Sequence, residues 1–322
     1  MAQRLFLGID IGGTKVAAGL VNADGEIVFK TRNPMNPRGD ADAGVDSVRT
    51  AIDAATVEAG GKIDAIGMIS PGPLDPKAGV ILNPPNLPCW RDFPLVEKIT
   101  AAYHVPVYLD NDANAAGLAE AIWGAGKDFT QVFYATLGTG VGTAIVLDGH
   151  IFHGRTGNAA EAGHMTIDFN GPRYCGCGKP GCIEGLTSGT GIARRAQLRA
   201  KEDETAAKNC LDLANGNVNE ITGEVVGKAW REGDTFATAI LDETADLLAV
   251  WFGNIIDVMD PEVIVVGGGV SELMEPWFER VARTMTSWTI NPRAGEVPIR
   301  MAKYRADAGI AGAAALTMQG AK

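Results

Sequence analysis

One histidine and three cysteines lie close together in the sequence, in the order His164, Cys175, Cys177 and Cys182. Three thiolates and one imidazole fill the four positions of a tetrahedral Zn²⁺ ion, which is typical of a structural rather than a hydrolytic metal site. The cysteines are closer together than in the usual C-x2-C pair, so a redox or disulfide function stays open as the alternative. The cluster predicts a zinc-binding loop.

Two carboxylates flank this cluster. Glu161 precedes His164 by three residues, and Glu184 follows Cys182 by two. A metal bound by the loop would hold both carboxylates close to one another, where they could accept hydrogen bonds from the hydroxyls of a polyol. The alternative is that both are simply solvated.

A further acidic group comes between an apolar segment and a helical one, in Leu109–Asn114. Functional groups of open α/β sheets collect at the carboxyl ends of strands. There Asp112 could accept the proton of an attacking hydroxyl, while Asn111 fixes the substrate. The alternative is that Asp112 or Asn114 only caps the helix.

Three glycine-bearing turns are candidates for nucleotide binding. They are DIGGTK (10–15), LGTGVG (137–142) and VVGGGVS (265–271). Glycines let backbone N–H groups approach a phosphate without interference from Cβ, and Asp10 could hold a hydrated Mg²⁺ ion. The first turn matches neither the P-loop nor the Rossmann pattern, and a plain tight turn is the alternative for it.

The composition narrows the class of protein. The chain has 322 residues with 46% hydrophobic and 21% charged side chains, and its formal net charge is −11. These values are ordinary for a soluble protein of about two domains and exclude disordered and collagen-like chains. The acidic balance argues against nucleic acid as the main partner. There is no apolar stretch long enough for a membrane span and no secretory leader pattern, so we expect a cytoplasmic protein without a membrane partner.

The elements that must position these residues follow an α/β pattern. Residues 5–29 predict a strand, a glycine turn, a strand, an Asp-Gly turn and a strand, and residues 132–151 repeat this order. The repeat indicates two related lobes that move about a hinge, with chance similarity of hairpins as the alternative. Helices are expected near 45–55, 95–102, 113–123 and 234–258 and from 308, and strands at 63–69, 105–109, 263–266 and 297–302.

Several other residues receive no functional role. Three histidines have no partner visible in the sequence, two cysteines are interpreted as ordinary thiols, and four tryptophans are expected in the core. They are His104, His150 and His153, then Cys89 and Cys210, then Trp230, Trp251, Trp277 and Trp288.

Together these motifs resemble the ROK family of sugar kinases and repressors, within the actin-like ATPase superfamily. Glu161-Ala-Gly-His164 is similar to the family's ExGH sugar signature, and residues 175–184 to its CxCGxxGCxE zinc signature. The three glycine turns are similar to its two phosphate motifs and its adenosine motif. The resemblance covers nearly the whole chain.

The fold that the resemblance implies is α/β. It is the two-lobed actin-like ATPase (ribonuclease H-like) fold, with duplicated βββαβα cores and an active-site cleft between the lobes. The expected lobes are residues 1–122, completed by a C-terminal helix at about 305–322, and residues 123–304, which include the zinc loop.

The resemblance also implies roles for individual residues. Asp112 would be the general base and would contact the sugar, as would Asn86, Asn111, Glu161, His164 and Glu184. His164, Cys175, Cys177 and Cys182 would bind zinc, with one imidazole nitrogen on the metal and the other facing the sugar. The implied nucleotide-binding residues are Asp10, Gly12, Gly13, Thr14, Lys15, Gly138, Thr139, Gly140, Gly268 and Gly269.

The expected activity is transfer of the γ-phosphoryl group of ATP to the 6-hydroxyl of glucose, with Mg²⁺ at the phosphates and a structural Zn²⁺. Closure of the lobes on the sugar would exclude water. The alternatives are a kinase for mannose, fructose, N-acetylglucosamine or N-acetylmannosamine, and a non-catalytic sugar sensor. Nine residues precede Asp10, so we expect no DNA-binding domain of the kind that family repressors carry ahead of this motif, which favours the enzyme. Relatives are commonly dimers or tetramers, so we expect a homodimer or homotetramer.

Overall fold

The computed structural model describes residues 4–319. It divides into two compact units, the first comprising residues 4–132, 144–160 and 302–319, and the second residues 133–143 and 161–301. Residues 1–3 and 320–322, which belong to the expected first lobe, lie outside the described residues.

The chain from residue 4 to residue 123 supplies the strands and helices of the first half. In order, they are β1 (Leu5–Ile11), β2 (Lys15–Asn22), β3 (Ile27–Pro34), α1 (Ala41–Glu58), β4 (Ile66–Ile69), β5 (Leu74–Asp75), β6 (Val80–Ile81), α2 (Leu95–Tyr103), β7 (Val107–Asp110) and α3 (Asp112–Trp123).

The second half begins with three strands and continues mainly with helices. Of the helices described between residues 4 and 319, none combines the length and the apolar character that crossing a bilayer requires. In order, the elements are β8 (Gln131–Leu137), β9 (Val141–Leu147), β10 (His150–Ile151), α4 (Ile183–Thr187), α5 (Gly189–Glu202), α6 (Lys208–Leu213), α7 (Gly223–Arg231), α8 (Thr235–Met259), β11 (Val263–Gly267), α9 (Gly269–Met274), α10 (Phe278–Met285), β12 (Ile299–Met301) and α11 (Ala308–Leu316).

Two five-stranded sheets have equivalent strand orders. The first is β3-β2-β1-β4-β7 and the second β10-β9-β8-β11-β12. In the first sheet, β3, β2 and β1 form an antiparallel meander, while β4 and β7 are parallel to β1. In the second, β9 and β10 are antiparallel and β11 and β12 parallel. The α/β class with duplicated cores that the sequence predicted is confirmed.

The parallel register of the first sheet aligns two carboxylates. Asp10 at the end of β1 pairs with Ile69 of β4, and Ile69 pairs with Asp110 of β7. Both acidic residues therefore lie at the carboxyl end of this sheet, the edge at which α/β proteins place their ligands.

Successive residues of β1 face opposite sides of the first sheet, and a different helix packs on each side. Leu7, Ile9 and Ile11 are buried in the core cluster that includes α1, whereas Gly8 faces α11. A Cβ at Gly8 would lie 2.3 Å from the carbonyl oxygen of Ile310. Because α11 comes so close to the sheet, small residues are required at the contact, which explains the alanine-rich sequence of this helix.

One of the expected core residues is not in the core. Trp251 in α8 is fully buried, but the side chain of Trp288 is 51% exposed. The backbone of Trp288 approaches α8 so closely that a Cβ at Gly253 would lie 2.6 Å from its carbonyl oxygen. The contact with α8 is therefore made by main chain and Cβ, and the indole is left outside.

Candidate active site

The second unit brings the predicted zinc ligands together. One ligand atom from each of His164, Cys175, Cys177 and Cys182 lies within 4.8 Å of every other. The Sγ atoms of Cys177 and Cys182 are 3.8 Å apart, and Cys175 Sγ is 3.5 Å from His164 Nδ1. Two thiolates bound tetrahedrally at about 2.3 Å from one Zn²⁺ ion are themselves about 3.8 Å apart. The donor set and its spacing are therefore compatible with a structural zinc ion.

The loop that carries this cluster closes on itself. Thr166 forms a β-bridge with Cys182, and the N–H groups of Ile167 and Asp168 both donate to the carbonyl of Gly181. Gly181 has φ +49°, and a Cβ there would lie 2.0 Å from the carbonyl oxygen of Asp168. Only glycine fits this position, and the closure brings the two ends of the cluster together.

The imidazole of His164 lies between two carboxylates. Its Nε2 is 3.9 Å from Glu161 Oε2, and its Nδ1 is 3.9 Å from Glu184 Oε1. Nδ1 also faces Cys175, so the ring presents one nitrogen to the cluster and the other towards Glu161. The two carboxylates can accept hydrogen bonds from neighbouring hydroxyl groups of a bound polyol.

Glu184 also holds the second glycine turn. Its Oε2 accepts a hydrogen bond of 2.9 Å from the N–H of Val141. A Cβ at Gly140 would lie 2.7 Å from the same oxygen, so a glycine is needed for the carboxylate to reach the turn. In addition, the N–H of Gly189 donates to the carbonyl of Gly138 at 2.8 Å. The segment that follows the cysteine cluster therefore supports this turn.

The segment with three glycines (265–271) packs against the end of β8. Gly268 has φ +87°, and a Cβ there would lie 2.4 Å from the carbonyl oxygen of Leu137. By contrast, a Cβ at Gly269 or Gly138 would have no heavy atom within 4 Å. Gly268 is thus required by packing, whereas the other two glycines face open space.

That open space is a cavity of about 700 Å³ in the second unit. Predicted nucleotide-binding residues line part of it, namely Gly138, Thr139 and Gly269. The size is in the range of small-molecule sites. Other walls come from α5 and α7, to which sequence analysis gave no role, since no motif marks them. Their polar lining residues include Gln197, Glu224 and Arg231.

In the first unit, Asp112 is the first residue of α3. The N-cap of this helix is Asn111, whose Oδ1 accepts a hydrogen bond of 2.7 Å from the N–H of Asn114. The alternative that Asp112 or Asn114 caps the helix is therefore wrong. Burial raises the pKa of Asp112, although its Oδ1 accepts a hydrogen bond from the N–H of Ala113. The cap occupies Oδ1 of Asn111, so its Nδ2 is the atom that could donate to a substrate.

Asp10 has a related environment in the same unit. Burial raises the pKa of Asp10, and the negative charge of Asp112 raises it further. A Cβ at Gly309 would lie 2.4 Å from Asp10 Oδ2, so α11 begins against this carboxylate. Two neighbouring carboxylates that repel one another suit a divalent cation, which neutralises both. The residues therefore fit Mg²⁺.

The first glycine turn contacts a predicted sugar-binding residue. A Cβ at Gly13 would lie 2.7 Å from the carbonyl oxygen of Asn86. The turn is closed by a 2.9 Å hydrogen bond from the N–H of Gly12 to the carbonyl of Lys15. Thr14 and Lys15 are exposed. The first unit therefore brings Asn86 next to this turn, while Asp10 and Asp112 interact electrostatically.

Known proteins are similar to the chain over almost its whole length. A model of the ROK family matches residues 6–320. The glucokinase of Halalkalibacterium halodurans is 34% identical over 322 residues, which cover 99% of this chain and 96% of the relative. The N-acetylmannosamine kinase of Escherichia coli is 34% identical over 314 residues, or 97% of this chain and 98% of the relative.

A solved structure has a similar fold. The ROK family glucokinase from Streptomyces griseus, crystallised in complex with glucose and AMPPNP, is 35% identical to this chain. The similarity covers 98% of this chain and 100% of that one, with a TM-score of 0.76.

Proposed function

Because the chain belongs to the ROK family, we propose that it transfers the γ-phosphoryl group of ATP to the 6-hydroxyl of glucose. The relatives with this name and the AMPPNP complex of a similar structure support a sugar kinase that uses ATP. We also propose that glucose is the preferred sugar.

The observation that carries the proposal is the arrangement of Glu161 and Glu184 around the ring of His164. Acceptors on both sides of one imidazole suit adjacent hydroxyl groups, which donate to carboxylates in charge-assisted hydrogen bonds. An ATPase without a sugar substrate would have no use for this group. We therefore assign the sugar hydroxyls to Glu161, His164 and Glu184, with Asn86 and Asn111 as further contacts.

In the first unit, Asp112 would accept the proton of the attacking hydroxyl. Desolvation by the surrounding chain raises the pKa of this carboxylate, which strengthens it as a base at neutral pH. Asp10 would hold Mg²⁺, whose positive charge stabilises the phosphates during transfer. The N–H groups of the turn formed by Gly12 and Gly13, with the side chains of Thr14 and Lys15, would contact the phosphates.

In the second unit, the cavity lined by Gly138, Thr139 and Gly269 would take the nucleotide. Gly140 and Gly268 would let the backbone approach it closely. The cluster of His164 and the three cysteines would hold Zn²⁺, which supplies a rigid anchor for the loop and takes no part in the reaction. We also propose that the boundary between the two lobes lies between residues 122 and 123.

A second candidate function is a kinase for an amino sugar. It is favoured by the N-acetylmannosamine kinase of Escherichia coli, whose identity to this chain equals that of the glucokinase. The two candidates share every catalytic role proposed above. They differ only in which substituents the sugar carries.

One experiment tests the proposal and separates the candidates. ADP release is measured with purified protein, Mg²⁺, ATP and each of glucose, mannose, fructose, N-acetylglucosamine and N-acetylmannosamine, with a sugar-free reaction as control. We expect the highest kcat/KM with glucose. A preference for an amino sugar would replace glucose by the second candidate. ADP release that is independent of every sugar would reject the function.

A further inference from the structure

His153 makes a short contact with a buried carboxylate. Its Nε2 is 2.6 Å from Oδ2 of Asp110. The side chain of Asp110 is only 4% exposed, and that of His153 is 26% exposed. Both residues belong to the first unit, although 43 positions separate them. The sequence offered no partner for His153 because the pairing depends on how the unit folds.

Asp110 is the centre of a hydrogen-bond network. Besides the contact with His153, its Oδ1 accepts hydrogen bonds from the N–H of Asn111 at 2.8 Å and from Nδ2 of Asn114 at 2.9 Å. Asn114 is also buried. A carboxylate with donors on both oxygens cannot rotate without breaking at least one of these bonds.

This network involves residues on both sides of the proposed base in the chain. Asn111 and Asn114 are joined by the N-cap hydrogen bond of α3, and Asp112 lies between them in the chain. The Asp110 carboxylate thus holds Asn111, directly before Asp112, and Asn114, two residues after it. His153 is the donor that holds the second oxygen of this carboxylate.

We propose that His153 is a positioning residue for phosphoryl transfer, acting through Asp110 on the Asn111–Asp112 turn. The inference rests on the proposed function, since it assumes that Asp112 is the base. Without the His153 donor, Oδ2 of the buried Asp110 carboxylate loses this partner, and the restraint on the turn depends on the hydrogen bonds of Oδ1. Displacement of a reacting group by about 1 Å can cost about 100-fold in rate.

The test compares three variants with the wild type. H153A removes the donor, H153Q keeps a donor of similar reach, and H150A removes a histidine whose Nδ1 lies 2.8 Å from the carbonyl oxygen of Asp148 in its own turn. We expect H153A to lower kcat by about 10- to 100-fold with KM for ATP changed by less than about twofold. H153Q is expected to recover most of the rate, and H150A to leave it unchanged. Melting temperatures are recorded for all variants.

A double variant shows whether Asp110 transmits the effect. D110N alone and H153A/D110N together should lose similar activity, because both break the same contact, and additive losses would mean separate roles. If H153A lowers the melting temperature but keeps kcat, or if H153Q is as slow as H153A, the positioning role is wrong while the kinase function stands. A wild type without sugar-dependent ADP release would reject the function and this inference with it.

Discussion

The carboxylate of Glu184 accepts a hydrogen bond of 2.9 Å from the backbone N–H of Val141. One oxygen thus holds a glycine turn proposed to bind phosphate, while the other lies 3.9 Å from His164 Nδ1. A residue proposed to bind sugar is therefore also a support of the nucleotide site. Because of this hydrogen bond, substitution of Glu184 is expected to affect nucleotide binding, whereas substitution of Glu161 is not.

We expect E184A to weaken nucleotide binding in the absence of sugar. Loss of one hydrogen bond worth about 1 kcal/mol corresponds to an increase in Kd of about fivefold. Calorimetric titration with a non-hydrolysable ATP analogue measures it. E161A is the matched control, since Glu161 is proposed to contact only the sugar, and its Kd for the nucleotide should be unchanged. Equal effects of both variants would contradict the support role of Glu184.

Removal of the metal should weaken both sites, because α4 begins directly after Cys182 and leads to the contacts with the second glycine turn. C177S is expected to lose bound zinc and to melt several degrees below the wild type, since a metal that binds only the folded state stabilises it. Elemental analysis and thermal melts provide the measurements. C89S, a substitution outside the cluster, should keep its zinc; retention of zinc by C177S would refute the ligand assignment.

Replacement of the proposed base should separate activity from stability. D112N is expected to lower kcat by about 10²- to 10⁴-fold, as for loss of a general base. The same variant should melt at a higher temperature at neutral pH, because it removes a charge that desolvation disfavours and that repels Asp10. A near-normal kcat, measured alongside the melting curve, would exclude Asp112 from proton transfer.

The raised pKa of Asp112 predicts how kcat and the stability of the fold depend on pH. The base works only when deprotonated, so kcat should fall on acidification at a pH above the value of 3.8 usual for an aspartic acid. Between that value and the raised pKa, the folded state binds more protons than the unfolded state. Stability contributed by this group is therefore lost as pH rises through this window. The difference in melting temperature between D112N and the wild type should grow as the pH rises above 3.8, and a constant difference would contradict the raised pKa.

Two neighbouring glycines should respond differently to alanine. At Gly268 the positive φ and the close carbonyl of Leu137 leave no room for a Cβ, so G268A should destabilise the protein by about 1–3 kcal/mol. At Gly269 a Cβ meets open space on the cavity side. G269A should therefore melt like the wild type but bind the ATP analogue at least about fivefold more weakly, which corresponds to about 1 kcal/mol of lost contact. Unchanged affinity in G269A would remove this glycine from the nucleotide site.

Local patterns were sufficient to predict most strands, but not the four helices between Ile183 and Arg231 and not where two strands begin. The apolar runs at 63–69 and 105–109 predicted earlier starts than the observed Ile66 and Val107. Pro106 explains the difference, because it has no N–H to donate and only its carbonyl joins the ladder, at Ile66. A proline therefore sets the first paired residue of two strands at once.

Residues close together in the chain revealed the cluster of His164 with three cysteines and the Asn111–Asp112 turn, whereas contacts between distant segments could not be found in this way. The hydrogen bond from Val141 to Glu184 joins residues 43 positions apart, and no pattern in either segment marks the other. The contact between His153 and Asp110 is likewise not marked by any local pattern. Neither is the wall that α7 contributes to the cavity. These features arise from strand order and packing, which local spacing does not encode.

The position of α11 has a consequence for synthesis on the ribosome. The strands β1 and β4 emerge first, but the helix that covers their glycine-bearing face follows about 240 residues later. At a translation rate of about 5–20 residues per second, that face stays uncovered for roughly 12–48 seconds. The first sheet therefore completes its packing on this face only after the end of the chain has been made.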